Sequence, residues 1–588
     1  MSFRAKTKAF CAFLFAGAVL VASFSAQAKV TAPNVVPAKA TNIVSVPDLA
    51  ALQKAWQGSS LRSVAEQIMQ VGGAHEALNV VQSFLPQIEK ELGFTLDGAT
   101  VASMIEGMDL FMNAPSGEGA PVVGGVLKIG DKDKFERFLT YWERAAIKAA
   151  QEAASDEATS DTQQRDFITS EVIQGVTAKH FVTAKGVDVY YAQVAQLFLI
   201  ASQKETLAGM ISRAAGKDDK GGLDKAADFD KVEKALAAHP GVVYFYQNSE
   251  AALAAVQPNE QLRKLSKLMR ELTPFSMSGS SLQIEAKKLR TYKYAPFAAG
   301  TENLLLRKLV ERSASTGKLD VLEFAPQQTM LTGVTNAFDA YFLYDILREL
   351  TESLSGGAKE VDLDKQLKEA EPLLGFSVKD DLLPAMGKQM GLFVNTVDFS
   401  TGMVSVDAAL ACEVRDKDKM QKVLTAVERM ITDKAKQMTS PPSGQQGQAP
   451  SVQISFKTAK EGDNTIRYLE IPPLPTITPG YAFVGEYLII GASKESIQKL
   501  IAVKTGKEKG LVGSAALDQL GDVKPKGLSF VYLNFAAICD TVEAALAKGA
   551  PNEDVKKVMD ALRTIKAAGG YGTVENGALV GEGVLVLE

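Results

Sequence analysis

The sequence predicts an α+β protein made of two tandem homologous domains, each a mostly antiparallel sheet with amphipathic helices packed on it. Three observations predict it. Segments of the first half recur in order in the second, short apolar runs of strand length alternate with helical stripes, and several strands follow one another directly. Leu92–Asn113 matches Leu374–Asn395 282 positions later with 8 identities in 22, and Asp131–Arg144 matches Asp416–Arg429 285 later with 8 in 14. Tyr191–Leu207 matches Tyr481–Ile497 290 later with 6 in 17, and Pro258–Leu272 matches Pro551–Ile565 293 later with 5 in 15.

The elements follow in chain order. Residues 1–28 read as a secretory signal: Arg4, Lys6 and Lys8 form the basic region, Ala9 to Phe24 the apolar region, and Ala26-Gln27-Ala28 an A-x-A cleavage site. The rival, an uncleaved anchor, needs about 20 apolar residues, and this stretch is shorter. Cleavage places the mature protein in the periplasm or outside the cell. No later segment has 18 consecutive apolar residues, so no transmembrane segment is expected after cleavage. Loss of three cations takes the net charge from −5 to −8, which argues against nucleic acid or an anionic membrane surface as the main partner.

The first repeat spans 29–322 and the second 323–588, with the boundary expected near Ser313–Phe324. A long helix is predicted from Ser60 to Glu91, broken near Gly72-Gly73, and another from Ala337 to Leu354. Asp133 with Glu136, and Asp418 with Gln421, read as capping boxes. Behind them Phe135, Phe138, Leu139 and Trp142, and Met420, Val423, Leu424 and Val427, fall on one helix face, so what recurs is burial. The Tyr191 and Tyr481 segments read as strands running into helices, with Ser202 and Glu205 as a capping box and Ser493 one position displaced. Further strands are expected at Val122–Ile129, Val242–Tyr246 and Ser281–Tyr294, and at Val404–Val414, Leu528–Tyr532 and Ala578–Leu587. Glu575-Asn576-Gly577 signals a hairpin before the last of these. Polar tracts within 151–166 and 434–452 occupy equivalent places and read as exposed loops.

The repeat acts as a filter on chemistry. His75, His180 and His239 all lie in the first copy, so a duplicated site cannot use a histidine base or ligand. Cys412 and Cys539 lie in apolar stretches of the second copy; a single bridge and two separate buried thiols are both compatible with the sequence. Metal and phosphate-loop signatures are absent. The Gly216-Lys217 and Gly506-Lys507 pairs follow helices as C-caps, and Gly124-Gly125 lies at the start of a strand. Ser496 and Lys499 fit S-x-x-K, but the first copy has Thr206 and Gly209 there. The acidic pairs Asp380-Asp381 and Asp218-Asp219 recur as Gly98-Ala99 and Glu508-Lys509, which favours charges at helix ends over acid–base work. The shared polar residues Tyr191/Tyr481, Tyr246/Tyr532, Asn248/Asn534 and Asn113/Asn395 lie at strand ends and read as turn and edge residues. No catalytic, cofactor-binding or metal-binding residue is assigned, and no cofactor is expected.

The segment LGFSVKDDLLPAMGKQMGLFV, the Asp-Lys-Asp-Lys start of the next helix and the run YLIIGASKESIQKLI resemble a family of exported bacterial proteins defined as a domain of unknown function. The first copy departs from the pattern, with Gly98 to Ala102 in place of Asp380 to Pro384. The resemblance implies an envelope location and brings no activity. The expectation is therefore an exported non-enzymatic protein that binds a protein partner, or an apolar small molecule or lipid, between or along its repeats. The alternative is a hydrolase with a site built from scattered carboxylates.

Overall fold

A computed structural model describes residues 30–69, 73–114, 120–156, 167–182, 188–255, 266, 268–314, 317–337, 340–354, 362–398, 405–439, 454–470, 478–546 and 553–588. The signal segment and most of both polar tracts lie outside the described residues; the helices Lys132–Asp156 and Lys417–Thr439 run into the start of each tract. The fold is α+β, as expected. The chain forms two compact units. One holds the chain up to Pro258 with Thr273–Ala299 and Gly577–Val580; the other holds Asn259–Leu272, Gly300–Asn576 and Gly581–Glu588.

The strands of the first unit are β1 (Asn42–Val46), β2 (Ile105–Asn113), β3 (Val122–Ile129), β4 (Ile168–Ile173), β5 (Val176–Val182), β6 (Asp188–Val194), β7 (Leu197–Ala201), β8 (Val243–Asn248), β9 (Met277–Ile284) and β10 (Lys288–Pro296). They pair antiparallel in the order β10-β9-β8-β1-β2-β3-β7-β6-β5-β4. The segment Ser281–Tyr294, expected as one strand, is the hairpin β9–β10, because Glu285 to Lys287 leave the ladder and turn the chain back.

The second unit's strands are β11 (Leu331–Thr335), β12 (Met386–Asp398), β13 (Ser405–Val414), β14 (Ser455–Glu461), β15 (Asn464–Glu470), β16 (Gly480–Val484), β17 (Tyr487–Gly491), β18 (Ser529–Asn534), β19 (Ile565–Glu575) and, from Gly581 on, β20 (Ala578–Leu587). β19 is paired to β20, and the order continues β18-β11-β12-β13-β17-β16-β15-β14. Strand for strand it is the order of the first unit. Asn576 and Gly577 have φ of 50° and 74°, the left-handed pair of a two-residue hairpin turn.

Local sequence explains the helix starts, with two corrections. The helices Lys132–Asp156 and Lys417–Thr439 are capped by Asp131 and Asp416, whose carboxylates accept from the amides of Lys134 (3.1 Å) and Lys419 (3.0 Å). Asp133 and Asp418 sit inside the first turn instead, since the carbonyls two residues earlier already open the helical hydrogen bonds at Phe135 and Met420. Ser202 is not a cap: its hydroxyl accepts from the Val123 amide of β3 (3.0 Å), and the helix Lys204–Ala214 starts uncapped at Gln203. Ser493 is a cap, accepting from the Ser496 amide (3.0 Å). The Ser60–Glu91 region forms two helices, Ser60–Met69 and Gly73–Leu92, and the next expected helix begins at Ala340.

The main core of each unit lies on one sheet face. In the first, Phe111, Val126, Leu199 and Tyr246 pack with Leu207 and Ile211 of Lys204–Ala214 and with Phe229 and Val232 of the helix Phe229–Ala238. In the second, Phe393, Ile489, Phe530 and Tyr532 pack with Ile497 and Ile501 of the helix Lys494–Lys504. A short strap closes each core. Val30, Ala32, Val35 and Val36 recur 289 positions later as Leu319, Val321, Phe324 and Ala325, all buried. Each strap ends on one bridge, Pro37 to Gly222 and Pro326 to Gly510.

Candidate functional site

Two features recur in both units beyond the main core: a polar cluster and an apolar row. The polar cluster uses three elements. Glu143 projects from the Asp131-capped helix, Tyr191 from β6, and Lys179 from β5 directly opposite Tyr191 in the ladder. The Tyr191 hydroxyl donates to Glu143 Oε1 (2.9 Å), and Lys179 Nζ reaches both carboxylate oxygens (2.6 and 2.7 Å). In the second unit Tyr481 donates to Glu428 Oε1 (2.8 Å), and Arg467, opposite Tyr481, holds Glu428 bidentately (2.8 and 2.9 Å).

The electrostatics fit a tie, not a reacting group. Burial, then the hydrogen bond to Glu143, drives the Tyr191 phenol far above its usual value; burial and Glu428 push Tyr481 up to about 12. Both tyrosines stay protonated donors. Burial pulls the Glu428 carboxyl up, but the hydrogen bonds from Arg467 and Tyr481 outweigh it and hold the group below the usual carboxylate range. A saturated, ionised glutamate is a weak base. In the first unit Trp142 packs edge-on against Tyr191 and Phe181, 5.8 Å between centroids in each case, so the cluster pins the long helix across the hairpin. An open depression of about 450 Å³ flanks the second cluster, lined by Thr425, Arg429, Thr432 and Ser455 among others.

The apolar row lies on the sheet face opposite the main core. Directly paired residues project to one side of a sheet. In the first unit the register links Phe245 to Val44, Val44 to Leu110, Leu110 to Gly125, Gly125 to Ile200 and Ile200 to Tyr191. In the second it links Val531 to Gly333, Gly333 to Leu392, Leu392 to Leu410, Leu410 to Ile490 and Ile490 to Tyr481. Each row runs from an open end to the tyrosine of its polar cluster. Phe245 is 43% exposed, with Met112 and Val123 in the same face at 39% and 44%. Val531, Leu392 and Ile490 are 44%, 42% and 41% exposed.

The residues weighed from sequence take structural places. His180 pairs with Asp188 (2.7 Å) and stacks on Tyr190, while His239 stacks on Tyr292; the His75 side chain lies outside the described residues. Cys412 and Cys539 are unbridged and buried, and burial pushes the Cys412 thiol up to about 11. The Ser496 hydroxyl is buried against Ser493 (2.8 Å), and Lys499 faces Asp407 at 4.0 Å. Asp381 is more than a helix-end charge: it is buried, accepts from the Ser377 amide (2.8 Å) and pairs with Lys422 (2.6 Å), which holds its carboxyl low. Asp218 caps a turn at Lys220 and Gly221. Gly216 and Gly506 have φ of 71° and 76°, as helix C-caps do. Asn248 and Asn534 cap the helices that follow β8 and β18 through Ala251 and Ala537. Tyr246 and Tyr532 are core residues, and the buried Oδ1 atoms of Asn113 and Asn395 have no partner among the described residues.

Sequence reasoning missed the polar cluster, although Glu143, Glu428 and both tyrosines lie in the matched segments. Among the described residues no group of three or more His, Cys, Asp or Glu could hold a metal ion, and no helix is long and apolar enough to cross a membrane.

No family model matches the chain, and no curated protein matches it. Two solved structures are similar in part. Crystal form I of TP0453 has 10% identity and a TM-score of 0.23, covering 50% of this chain and 88% of that one; crystal form III has 11% and 0.24, covering 49% and 88%. Likenesses of that size carry no argument about the site.

Proposed function

We propose that this is an exported, non-enzymatic envelope protein that binds an apolar ligand, or an apolar segment of a protein partner, along the open sheet face of each repeat. The observation that carries the reading is the repeated row: its open end carries an exposed apolar side chain at the equivalent position of both units, Phe245 and Val531, and the second unit continues it with exposed Leu392 and Ile490, where a surface strand residue is ordinarily polar. The duplication is part of the proposal, supported by the shared strand order and the matched segments. Export rests on the A-x-A signal, and the envelope location on the family resemblance.

The scattered-carboxylate hydrolase draws no support from the groups in hand. Glu143, Glu428 and Asp381 are each saturated by tyrosine, cation or amide partners that fix structure. Native mass spectrometry of the purified full chain tests the binding reading. A co-purifying lipid or apolar molecule that is lost in Phe245→Glu plus Leu392→Glu supports it. Failure to retain any ligand, together with unchanged crosslinking partners in cells for the same variant, overturns it.

A further inference from the structure

The first unit's strap is held differently from the second's. Asp109 on β2 is fully buried, and its carboxylate accepts from the amides of Thr31 and Ala32 (2.9 Å each) and from Ser45 Oγ of β1 (2.7 Å). Arg213, at the end of Lys204–Ala214 and 8% exposed, donates Nε to the Val35 carbonyl (3.1 Å). Further along, the Asn248 side chain donates to the Ala38 carbonyl (2.9 Å), and the Leu223 amide to the Val36 carbonyl (2.8 Å). At the two equivalent charged positions the second unit has Gly391 and Val503; its strap is met by a neutral contact, the Val321 amide on Gln389 Oε1 (3.0 Å), and by an ion pair at the surface, Lys504 with Glu323, with no buried charge on it at either position.

Two buried ionised side chains are an expensive way to hold an apolar segment, because each must be stripped of water. Their return is positional: a carboxylate that takes two consecutive amides fixes the segment's register in a way that Val30, Val35 and Val36 cannot. The strap belongs to no sheet ladder beyond the Pro37–Gly222 bridge, so leaving breaks side-chain hydrogen bonds, apolar contacts and the few backbone bonds around that bridge (Leu223 to Val36, Ala38 to Gly221, Asp224 to Pro33) without unzipping a strand. Its apolar side chains pack between the sheet and the two helices, against Phe111, Leu207, Ile211 and Phe229.

We propose that residues 30–40 form a latch strap which the first unit releases and re-docks while its sheet stays folded, with Asp109 and Arg213 as the two catches. The second unit's strap, lacking both, is ordinary core. The proposal stands apart from the sheet-face reading, since the strap closes the opposite face.

Hydrogen exchange of the full chain followed by mass spectrometry tests it. In the wild type, amides of 31–38 are expected to exchange at least about tenfold faster than those of β2 and β3, at a rate insensitive to low urea, the mark of local opening. Asp109→Asn leaves one strap amide facing a donor, and Arg213→Met removes the second catch. Each is expected to speed strap exchange by a further factor of about ten, with β2, β3 and residues 319–326 unchanged. Strap amides that exchange in step with β2 and share its urea dependence in the wild type overturn the proposal, as does Arg213→Met acting equally on strap and sheet. Should Asp109→Asn unfold the unit, the wild-type urea series and Arg213→Met decide alone.

Discussion

At the scale of single residues, what matters is how each buried charge is satisfied. Asp109 and Glu428 are opposite cases. Burial dominates at Asp109 and raises its carboxyl to about 6, against the pull of the Ser45, Thr31 and Ala32 hydrogen bonds. A carboxyl raised on folding stabilises most below its unfolded value near 4, and that stability is lost as pH rises through about 6. The first unit should therefore become less stable from pH 5 to pH 8, by at most about 1.4 kcal/mol, and Asp109→Asn should abolish the slope; urea midpoints across that range read it. The Asp109 charge also acts on Tyr246, whose phenol is raised chiefly by burial and further by Glu233 and Tyr244. Glu428 runs the other way. Its contribution is present at neutral pH and fades only as acid protonates it below the ordinary glutamate range, so it does not enter the pH 5 to 8 window. Glu428→Gln should cost about 1–2 kcal/mol at pH 7, with Tyr481→Phe adding less than its own single effect because the two share one bond. Independent, additive losses in denaturant melts would remove the cluster as a unit.

At the scale of elements, the repeat separates what a helix or strand needs from what it happens to contain. The carboxylates of Asp131 and Asp416 accept from the third amide of each helix, so Asp416→Ala should cost about 1 kcal/mol in thermal or chemical melts. Asp418→Ala, which loses only a first-turn charge, should cost a few tenths. The ring of Phe111 leaves no space above Gly124, where a Cβ would stand 2.3 Å from its tip. Gly124→Ala should then cost about 1–3 kcal/mol through overpacking, and a smaller loss would show that the ring moves aside cheaply. Elements were legible wherever a local signal sets them: the Asn576-Gly577 hairpin, the glycine C-caps, and the stripe behind Asp131. The Ser202 cap was misread because its hydroxyl is used by β3, 79 residues away in the chain, and no local pattern records that bond. The cation of the polar cluster was hidden for the same reason. It is lysine in one copy and arginine in the other, 36 and 39 residues from its glutamate. The apolar row was invisible because LFLIA and YLIIG are apolar on both faces; without alternation, the sequence does not say which side a helix covers.

At the scale of the whole molecule, each unit carries its own row and its own polar cluster, so each should bind on its own account. A chain with two equivalent faces should take two equivalents of an apolar probe. Phe245→Glu should remove one, Leu392→Glu the other, and the pair should remove both, with each variant's melting curve close to the wild type because these side chains are largely outside the core. Isothermal titration with a fluorescent fatty acid reads the stoichiometry directly. A single equivalent that either substitution abolishes would mean that the two faces act as one site, and the reading of independent repeats would fall. A stoichiometry untouched by both would move the ligand off the sheet altogether. The strap then becomes the next place to look, because it covers apolar core of the first unit and is itself held by buried charge.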